Sequence, residues 1–474
     1  MINAASTRRL LAAVIVIVGG VSVAPGANRR AAADDGDTAR TLDDATRKKV
    51  QLELRSPAAR TRRRAIESLA RNSDLESMQI VLQQGLHDKA LEVVRASLDA
   101  LDQIRDGMPN DAVDQTFIPE LTGRIEGEFR NAKRRSSDFA VRLIRSASRA
   151  PLPTMYDALF RIDEQLNEQA KPIWLSGVLG GMDDLAEKKD PRAVELLPLL
   201  SRHACFKNHY GYRRTVCCLA GSVPSPASVT FLIEQLATAQ GELRAVIAAN
   251  LQRLTGNEAG ADAAAWSEWW GSRRDSFQFP GAVEYGTLRA AGSTPSYYGL
   301  PVYADRLVFV LDTSKSMAIG RSEPRIEIAK RELIRAIGQL PESTFFNIVV
   351  FNSTVSAWHE SLAPAIPRWK EAAAEFVAMQ RPQGRTITYD ALVAAMGLHD
   401  DVEALYFLSD GAPSMGTIVN PEQIVESIAR QNHLRRLTIN SIGLFGGGAD
   451  DARGLELFMQ RLAAANFGQF RRID

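Results

Sequence analysis

The chain has few of the residues that build disulfide frameworks, zinc sites or nucleic-acid surfaces. Its 474 residues include three cysteines and six histidines, and 57 basic residues nearly balance 56 acidic ones. Three cysteines form no disulfide framework: one bridge from Cys205 to Cys217 or Cys218 is one option, and three buried apolar thiols are the other. A net charge of +1 gives no electrostatic footprint for nucleic acid. The sequence also lacks the G-x-S-x-G, H-E-x-x-H and G-x-x-x-x-G-K-[ST] motifs of common enzymes.

The apolar stretch near the N-terminus is too short for an ordinary membrane span. Leu10–Ala24 has fifteen uncharged residues after Arg8 and Arg9, whereas a transmembrane helix needs about 20. Ala31-Ala32-Ala33 then offers a cleavage site of the A-x-A type. We therefore expect residues 1–33 to be a signal peptide and the chain to be exported, to the periplasm, the cell envelope or the medium. An uncleaved N-terminal membrane anchor is the alternative.

Helical periodicity dominates the next region. After a short linker, 34–40, apolar residues recur at three- and four-residue spacing through residues 41–275, which predicts helices. Four arginines, at positions 63, 95, 213 and 244, each have an apolar residue three positions on and a leucine six or seven positions on. The first two are 32 residues apart and the last two 31. This period predicts a HEAT-like α-solenoid, with an irregular helical domain as the alternative.

The helical region ends in a cluster of tryptophans. Trp266, Trp269 and Trp270 share one helix face and are expected to close the last repeat. Residues 276–302 follow as a linker that contains glycines, prolines and aromatic residues and packs on its neighbours.

Beyond the linker, strands and helices alternate to the C-terminus. The predicted strands are Leu307–Leu311, Phe345–Phe351, Val355–Trp358, Ala404–Leu408, Leu437–Leu444 and Gly468–Ile473. The predicted helices are Arg325–Gln339, Trp369–Met379, Tyr389–Leu398, Ile424–Gln431 and Leu455–Ala464. Such alternation predicts a mostly parallel, doubly wound α/β sheet with helices on both faces.

Oxygen-bearing side chains gather where strands of this sheet end. Asp312-Thr313-Ser314-Lys315-Ser316 directly follows the first strand, Thr386 lies just before a helix, and Asp410 follows the fourth strand. Ligands of open α/β sheets bind outside the carboxyl ends of the strands. Hard oxygens suit Mg²⁺ or Mn²⁺, and Ca²⁺ is a further option.

These three segments resemble the von Willebrand factor type A (vWA) family from about Tyr303 to the C-terminus, residues 303–474. The metal-ion-dependent adhesion site of that family takes D-x-S-x-S, a threonine and an aspartate from the same places. The resemblance implies a Rossmann-like domain with strand order 3-2-1-4-5-6 and five metal ligands. Those ligands are Asp312, Ser314, Ser316, Thr386 and Asp410. Lys315 departs from the family, which most often has glycine there, and would be strained if the position required a positive φ.

The resemblance implies a binding protein and not an enzyme. A metal held by two carboxylates and three hydroxyls keeps a coordination position for an Asp or Glu carboxylate of a partner protein. The first alternative is a scaffold whose site is degenerate, with the hydroxyls kept as caps and turn formers. The second is a metal-dependent hydrolase of envelope material. It lacks a convincing general base, because Asp390 is better explained as a first-turn helix charge.

Overall fold

The structure of the protein is a computed structural model that describes residues 41–106, 108, 110–130, 137–280, 294–445 and 449–474. The predicted signal peptide or anchor and the linker after it, residues 1–40, lie outside this part of the chain. The chain divides into two compact units, Met1–His203 and Ala204–Asp474. The predicted fold class, a helical region followed by a C-terminal α/β domain, is confirmed.

The first unit is helical where it is described. The side chain of Asp43 caps the first helix, because it accepts hydrogen bonds from the N–H groups of Ala45 and Thr46. The helices are α1 (Asp44–Leu54), α2 (Ala59–Leu69), α3 (Leu75–Ile80), α4 (Leu91–Asp106), α5 (Asn110–Arg130), α6 (Ser137–Ser148), α7 (Pro153–Glu164), α8 (Lys171–Lys188) and α9 (Leu197–Arg202). A π-helical turn, Val81–Gly85, extends α3, and a 3-10 turn, Pro191–Leu196, precedes α9.

Helices α6 and α8 approach each other closely. A β-carbon on Gly177 would lie 2.6 Å from the Cβ of Ile144, so glycine is required at this crossing. Arg145 on α6 and Arg149, directly after that helix, both pair with Asp184 on α8. The contact therefore joins close backbone packing to a shared ion pair.

The second unit begins with five described helices. They are α10 (Ala204–Asn208), α11 (Tyr210–Ser222), α12 (Pro226–Leu236), α13 (Gly241–Thr255) and α14 (Ala263–Gly271). The apolar positions of the sequence repeat are buried on the helices that carry them in each unit: Ile66, Leu69, Leu98, Leu101, Val216, Leu219, Ile247 and Leu251. Burial of one face is common to packed amphipathic helices in general. The HEAT-like classification therefore stays a prediction.

A twisted, mostly parallel sheet forms the centre of the α/β domain. The described strands are β1 (Ser296–Tyr297), β2 (Leu300–Pro301), β3 (Arg306–Asp312), β4 (Phe345–Phe351), β5 (Val355–Ala357), β6 (Ala363–Pro364), β7 (Ala404–Ser409), β8 (Thr438–Leu444) and β9 (Phe470–Ile473). The sheet order is β5-β4-β3-β7-β8-β9, with β6 also paired to β4. Strands β5 and β6 run antiparallel to β4, and the other pairs in this sheet are parallel. Without the short β6, this is the order 3-2-1-4-5-6.

Helices cover both faces of this sheet. They are α15 (Arg325–Gln339), α16 (Pro367–Ala378), α17 (Thr388–Met396), α18 (Pro421–Arg435) and α19 (Ala449–Ala465). Helices α15 and α16 share one apolar core with Phe309 of β3, and α17, α18 and α19 share the other with Val308. The alternation of side chains along β3 therefore serves two buried faces, as expected of a central parallel strand.

Part of the predicted linker belongs to the α/β core. Strands β1 and β2 pair as a hairpin, and the ring of Tyr297 lies 5.3 Å from that of Phe309 in an edge-to-face contact. The Tyr406 hydroxyl donates to the carbonyl oxygen of Pro301 at 2.7 Å. Residues 281–293 of the linker lie outside the described residues.

Helices α11 and α13 pack against the amino-terminal edge of the sheet, within the second unit. A β-carbon on Gly211 would lie 2.0 Å from the carbonyl oxygen of Leu434, so glycine permits this close approach of α11 to α18. Arg214 of α11 donates through Nη1 to the Arg436 carbonyl at 3.0 Å and to the Thr438 hydroxyl at 2.9 Å. Its guanidinium also lies 4.8 Å from the ring centre of Phe467.

The same edge carries two buried glutamates. Glu242 of α13 accepts a hydrogen bond from the Thr438 hydroxyl at 2.7 Å. Glu403, directly before β7, accepts from the N–H groups of Glu242 at 3.0 Å and Asp305 at 3.2 Å, and pairs with Arg306 at 3.3 Å. Burial raises the pKa of Glu242, and it raises that of Glu403 to about 7. We call this set the amino-edge cluster: Arg214, Glu242, Asp305, Arg306, Glu403 and Thr438.

The three cysteines lie on two adjacent helices of the second unit. Cys205 is on α10, and Cys217 and Cys218 are on α11. None of these three described residues forms a disulfide. Across the described ranges, no helix combines the length and apolar character that crossing a bilayer requires.

Candidate metal centre

The topology brings the polar ends of β3 and β7 together. These neighbouring parallel strands pair Leu311 with Leu408, so the residues that follow each strand emerge side by side. Asp312 ends β3, and Asp410 comes directly after β7. The two carboxylates predicted to share a site therefore meet at the carboxyl edge of the sheet. We call the five predicted ligands the carboxyl-edge cluster: Asp312, Ser314, Ser316, Thr386 and Asp410.

Asp312 is fully buried, and both its oxygens accept hydrogen bonds. One oxygen accepts from the N–H of Ser314 at 2.7 Å, and the other from the hydroxyl of Ser409. Burial and the nearby charge of Asp410 raise the pKa of Asp312 to about 7, although the hydrogen bonds oppose the shift. A buried carboxylate held this way is costly to ionise unless a cation compensates for it.

Asp410 has no exposed side-chain surface. Its Oδ1 accepts from the Ser316 hydroxyl at 2.7 Å, and its Oδ2 from Nη1 of Arg325 at 2.8 Å. The hydroxyls of Ser314 and Ser316 lie 3.0 Å apart. Burial raises the pKa of Asp410, while Ser316 and Arg325 act in the opposite direction. The structure thus joins four of the five predicted ligands through direct contacts, since Asp312 also accepts from the Ser314 N–H.

Thr386 is held at its backbone and has an uncommitted hydroxyl. Its N–H donates to the Ser414 hydroxyl at 3.1 Å, and its carbonyl accepts from the N–H groups of Ser414 and Met415. Among the described residues, its side-chain oxygen has no hydrogen-bond partner. A β-carbon on Gly411 would stand 3.8 Å from that oxygen and 3.5 Å from the oxygen of Ser316. Gly411 therefore leaves space between the hydroxyls of Thr386 and Ser316.

Asp390 supports the neighbouring loop. Its two oxygens accept from the N–H of Thr417 at 2.9 Å and from the hydroxyl of Thr417 at 2.5 Å. A β-carbon on Gly416 would lie 2.2 Å from Asp390, and the φ of Gly416 is +110°, so the loop needs glycine there. These contacts give Asp390 a structural role in the loop that holds Thr386.

Lys315 fits its position without strain. It begins a 3-10 turn, Lys315–Ala318, and has no positive φ. Its backbone N–H donates to the Gly384 carbonyl at 3.2 Å, and the residue is exposed. The departure from glycine at this position therefore leaves the backbone of the cluster intact.

Two residues that contact the predicted ligands, Ser409 and Arg325, were not predicted from the sequence. Ser409 is visible beside Asp410 at the end of the strand, and its position could have indicated a partner for Asp312. Arg325 gave no such signal, because it lies 85 residues from Asp410 and begins a helix. Only the folded path from β3 to α15 brings its guanidinium to the cluster.

The donor set of the carboxyl-edge cluster fits a hard divalent cation. It combines two fully buried carboxylates, two hydroxyls in mutual contact and a third hydroxyl without a partner in the described residues. Carboxylate and hydroxyl oxygens are the ligands that Mg²⁺ and Mn²⁺ prefer. A bound dication would also offset the repulsion between Asp312 and Asp410.

Residues 305–471 match the family model of the von Willebrand factor type A domain. This part of the chain is therefore a vWA domain, preceded by a helical region. Domains of this family generally mediate protein–protein interaction, often through a bound metal ion.

The curated relatives share only part of their length with this chain. Inter-alpha-trypsin inhibitor heavy chain H4 of Homo sapiens is 31% identical over 188 residues, which cover 37% of this chain and 19% of that protein. Inter-alpha-trypsin inhibitor heavy chain H3 of Mesocricetus auratus is 29% identical over 186 residues, covering 37% and 20%. The chain thus spans about a fifth of the length of these relatives.

Solved structures with similar folds include a von Willebrand factor type A protein from Catenulispora acidiphila. It is 19% identical, covers 36% of this chain and 38% of its own, and has a TM-score of 0.31. The conserved hypothetical protein BatB from Bacteroides thetaiotaomicron is 18% identical over 36% of this chain and 90% of its own, with a TM-score of 0.28.

Proposed function

We propose that the chain is an exported binding protein whose vWA domain uses a divalent metal to capture an acidic residue of a partner protein. The metal is Mg²⁺ or Mn²⁺, with Ca²⁺ as a further candidate. The observation that carries the proposal is the carboxyl-edge cluster, in which buried Asp312 and Asp410 are linked through Ser314 and Ser316. The hydroxyls of Ser316 and Thr386 flank Gly411.

Each ligand has a role that follows from its chemistry. Asp312 and Asp410 supply the negative charge that retains the cation. Ser314, Ser316 and Thr386 supply neutral oxygens, which leave the bound cation electrophilic. An Asp or Glu carboxylate of a partner is the group that such a cation attracts most strongly.

The helices before the vWA domain serve as a scaffold or a second binding surface. Helices α11 and α13 already use one side to pack on the sheet, through Arg214 and Glu242. Export rests on the apolar stretch and A-x-A site in residues 1–33.

A second candidate function is a scaffold that works without a metal. The ion pair between Arg325 and Asp410 favours it, because this internal cation already compensates one of the two carboxylates. Metal-dependent hydrolysis gains no such support, since Asp390 commits both oxygens to Thr417.

Thermal unfolding of the full chain with Mg²⁺, Mn²⁺, Ca²⁺ or EDTA separates the two functions. A cation at a hundred times its dissociation constant should stabilise the folded wild type by roughly 2.7 kcal/mol. Asp312→Asn removes one ligand charge and should abolish this gain. Glu342→Gln removes an exposed carboxylate of the same domain and should retain it.

Binding of acetate or of a peptide rich in Asp and Glu tests capture. We expect binding with Mn²⁺ and none with EDTA. Binding that survives EDTA, or a wild type that no cation stabilises, would contradict the metal clamp and favour the scaffold.

A further inference from the structure

Arg325 is placed to act on the metal site. It is the first residue of α15 and follows Pro324, which fixes where the helix begins. Its N–H donates to the Ile319 carbonyl at 3.1 Å, so the loop before the helix is tied to it. Its side chain is 15% exposed and pairs with the fully buried Asp410.

The ion pair between Arg325 and Asp410 changes the net charge at the place where a metal would bind. With both carboxyl groups ionised, as metal binding requires, Asp312 and Asp410 carry two negative charges and Arg325 one positive charge, so the three groups sum to −1. A dication would then bring the local total to +1, whereas without the arginine it would bring the total to zero. Like charges repel strongly where water is scarce, so Arg325 lowers the affinity for the cation. The remaining positive charge favours an anion beside the metal.

We propose that Arg325 is a built-in counter-cation that weakens metal binding on its own and makes it depend on a carboxylate from the partner. The inference rests on the proposed function and specifies how its site is regulated. Metal and carboxylate then raise each other's affinity by the same factor, as linkage requires. The site would hold its metal firmly only when a partner is bound.

Arg325→Gln tests the charge while keeping a hydrogen-bond donor for Asp410. The probe is Mn²⁺, whose free aquo-ion signal in electron paramagnetic resonance falls on binding. In the absence of carboxylate, the variant full chain should bind Mn²⁺ at least tenfold more tightly than wild type. Saturating acetate should tighten Mn²⁺ binding at least fivefold in wild type and less than twofold in the variant.

Two further variants control for other causes. Arg321→Gln removes an equal charge from an exposed position in the loop before α15 and should stay within twofold of wild type. Arg325→Lys keeps the charge but not the planar group, and it should stay within threefold. If Arg325→Lys tightens Mn²⁺ binding as Arg325→Gln does, the charge is not responsible and the inference is overturned.

The outcomes distinguish this inference from the function on which it rests. If wild type binds Mn²⁺ and acetate together but Arg325→Gln binds Mn²⁺ no more tightly, only the role of Arg325 is overturned. If neither protein binds Mn²⁺, the proposed function fails as well. Circular dichroism will show whether Arg325→Gln is unfolded without metal. If it is, refolding at a Mn²⁺ concentration below the wild-type dissociation constant supports the inference. No refolding at ten times that concentration overturns it.

Discussion

The two edges of the vWA sheet both bury carboxylates, but the groups that contact these carboxylates differ. At the amino edge, Arg214 and Glu242 reach the Thr438 hydroxyl from α11 and α13. At the carboxyl edge, Asp312 and Asp410 are surrounded mainly by hydroxyls from the domain's own loops. The first cluster combines Arg214 and the Glu242 N–H, from helices outside the sheet domain, with Arg306 and Thr438 of the sheet domain. The second retains space beside Gly411 and an uncommitted threonine hydroxyl.

This difference separates a structural cluster from a candidate binding cluster. Buried polar groups that hydrogen-bond from one element to another hold those elements together, because breaking one such bond leaves a buried group without a partner. Buried carboxylates grouped with hydroxyl oxygens instead favour a cation from solution. Burial and raised pKa values occur at both edges, so they do not distinguish the candidate metal site by themselves. The uncommitted hydroxyl of Thr386 is what distinguishes it.

The largest effect is expected from Arg214→Met at the amino edge. The variant removes the cation that acts on buried Glu242 and two hydrogen bonds, one to Thr438 of β8 and one to the carbonyl of Arg436, two residues before that strand. Removing the hydrogen-bond partner of a buried group typically costs about 1–3 kcal/mol, and more where a charge is involved. Urea-induced unfolding of the full chain should show this loss. Mn²⁺ binding by the folded protein should stay unchanged.

Arg274→Met is the matched control, since Arg274 is exposed. Its free energy of unfolding should change by less than about 0.5 kcal/mol. An Arg214→Met protein as stable as this control would show that the amino-edge cluster does not hold the helices to the sheet.

A smaller, pH-dependent effect is expected from Glu403→Gln. Burial raises the pKa of Glu403 to about 7 from an ordinary value of 4.5, so the folded state binds its proton more tightly than the unfolded state does. The contribution of this carboxyl to stability therefore falls as pH rises from about 4.5 to 7 and stays low above. The full difference is about 3 kcal/mol. Glu242 and Asp305 oppose ionisation, and Arg306 is the cation that faces the group.

The measurement is urea-induced unfolding at pH 5 and pH 8. Glu403→Gln should match wild type at pH 5 and exceed it by about 2 kcal/mol at pH 8, because the glutamine keeps an acceptor and has no carboxyl group to ionise. Glu360→Gln, at an exposed position, should follow wild type at both pH values. A difference between Glu403→Gln and wild type that does not grow with pH would contradict the raised pKa.

The fold was predictable because its signals are local. Arg325–Gln339 was predicted with the observed bounds, since Pro324 marks its start and apolar residues recur along one face. The strand that ends at Asp312 was likewise visible as an uninterrupted apolar run. Hairpin β1–β2 was missed because two-residue strands among glycines and prolines look like a linker.

The partners of the buried charges were not predictable, because they are distant in sequence. Arg214 meets Thr438 across 224 residues, and Glu242 meets it across 196. A charged residue on an amphipathic helix is normally assigned to the solvent side. The candidate ligands could be predicted only because the vWA resemblance supplied the order of three separated segments. It supplied nothing about Arg325, whose residue type is compatible with many solvent-facing positions.

The smallest effect on stability, and the sharpest contrast between the edges, is expected from Thr386→Val. Valine keeps the shape of threonine and replaces only the hydroxyl, which has no hydrogen-bond partner among the described residues. The free energy of unfolding without metal should therefore change by less than about 0.5 kcal/mol. Mn²⁺ binding, measured by titration calorimetry, should weaken by about tenfold or more, since one of five ligands is lost.

Thr438→Val is the matched control at the amino edge, where the same hydroxyl is used twice. It should destabilise the protein by about 1–3 kcal/mol, because Arg214 and Glu242 both lose a buried partner, and should leave Mn²⁺ affinity unchanged. Thr386→Val should therefore affect metal binding and not stability, whereas Thr438→Val should affect stability and not metal binding. If Thr386→Val instead lowered stability and left Mn²⁺ binding intact, the carboxyl edge would be structural in the same sense as the amino edge.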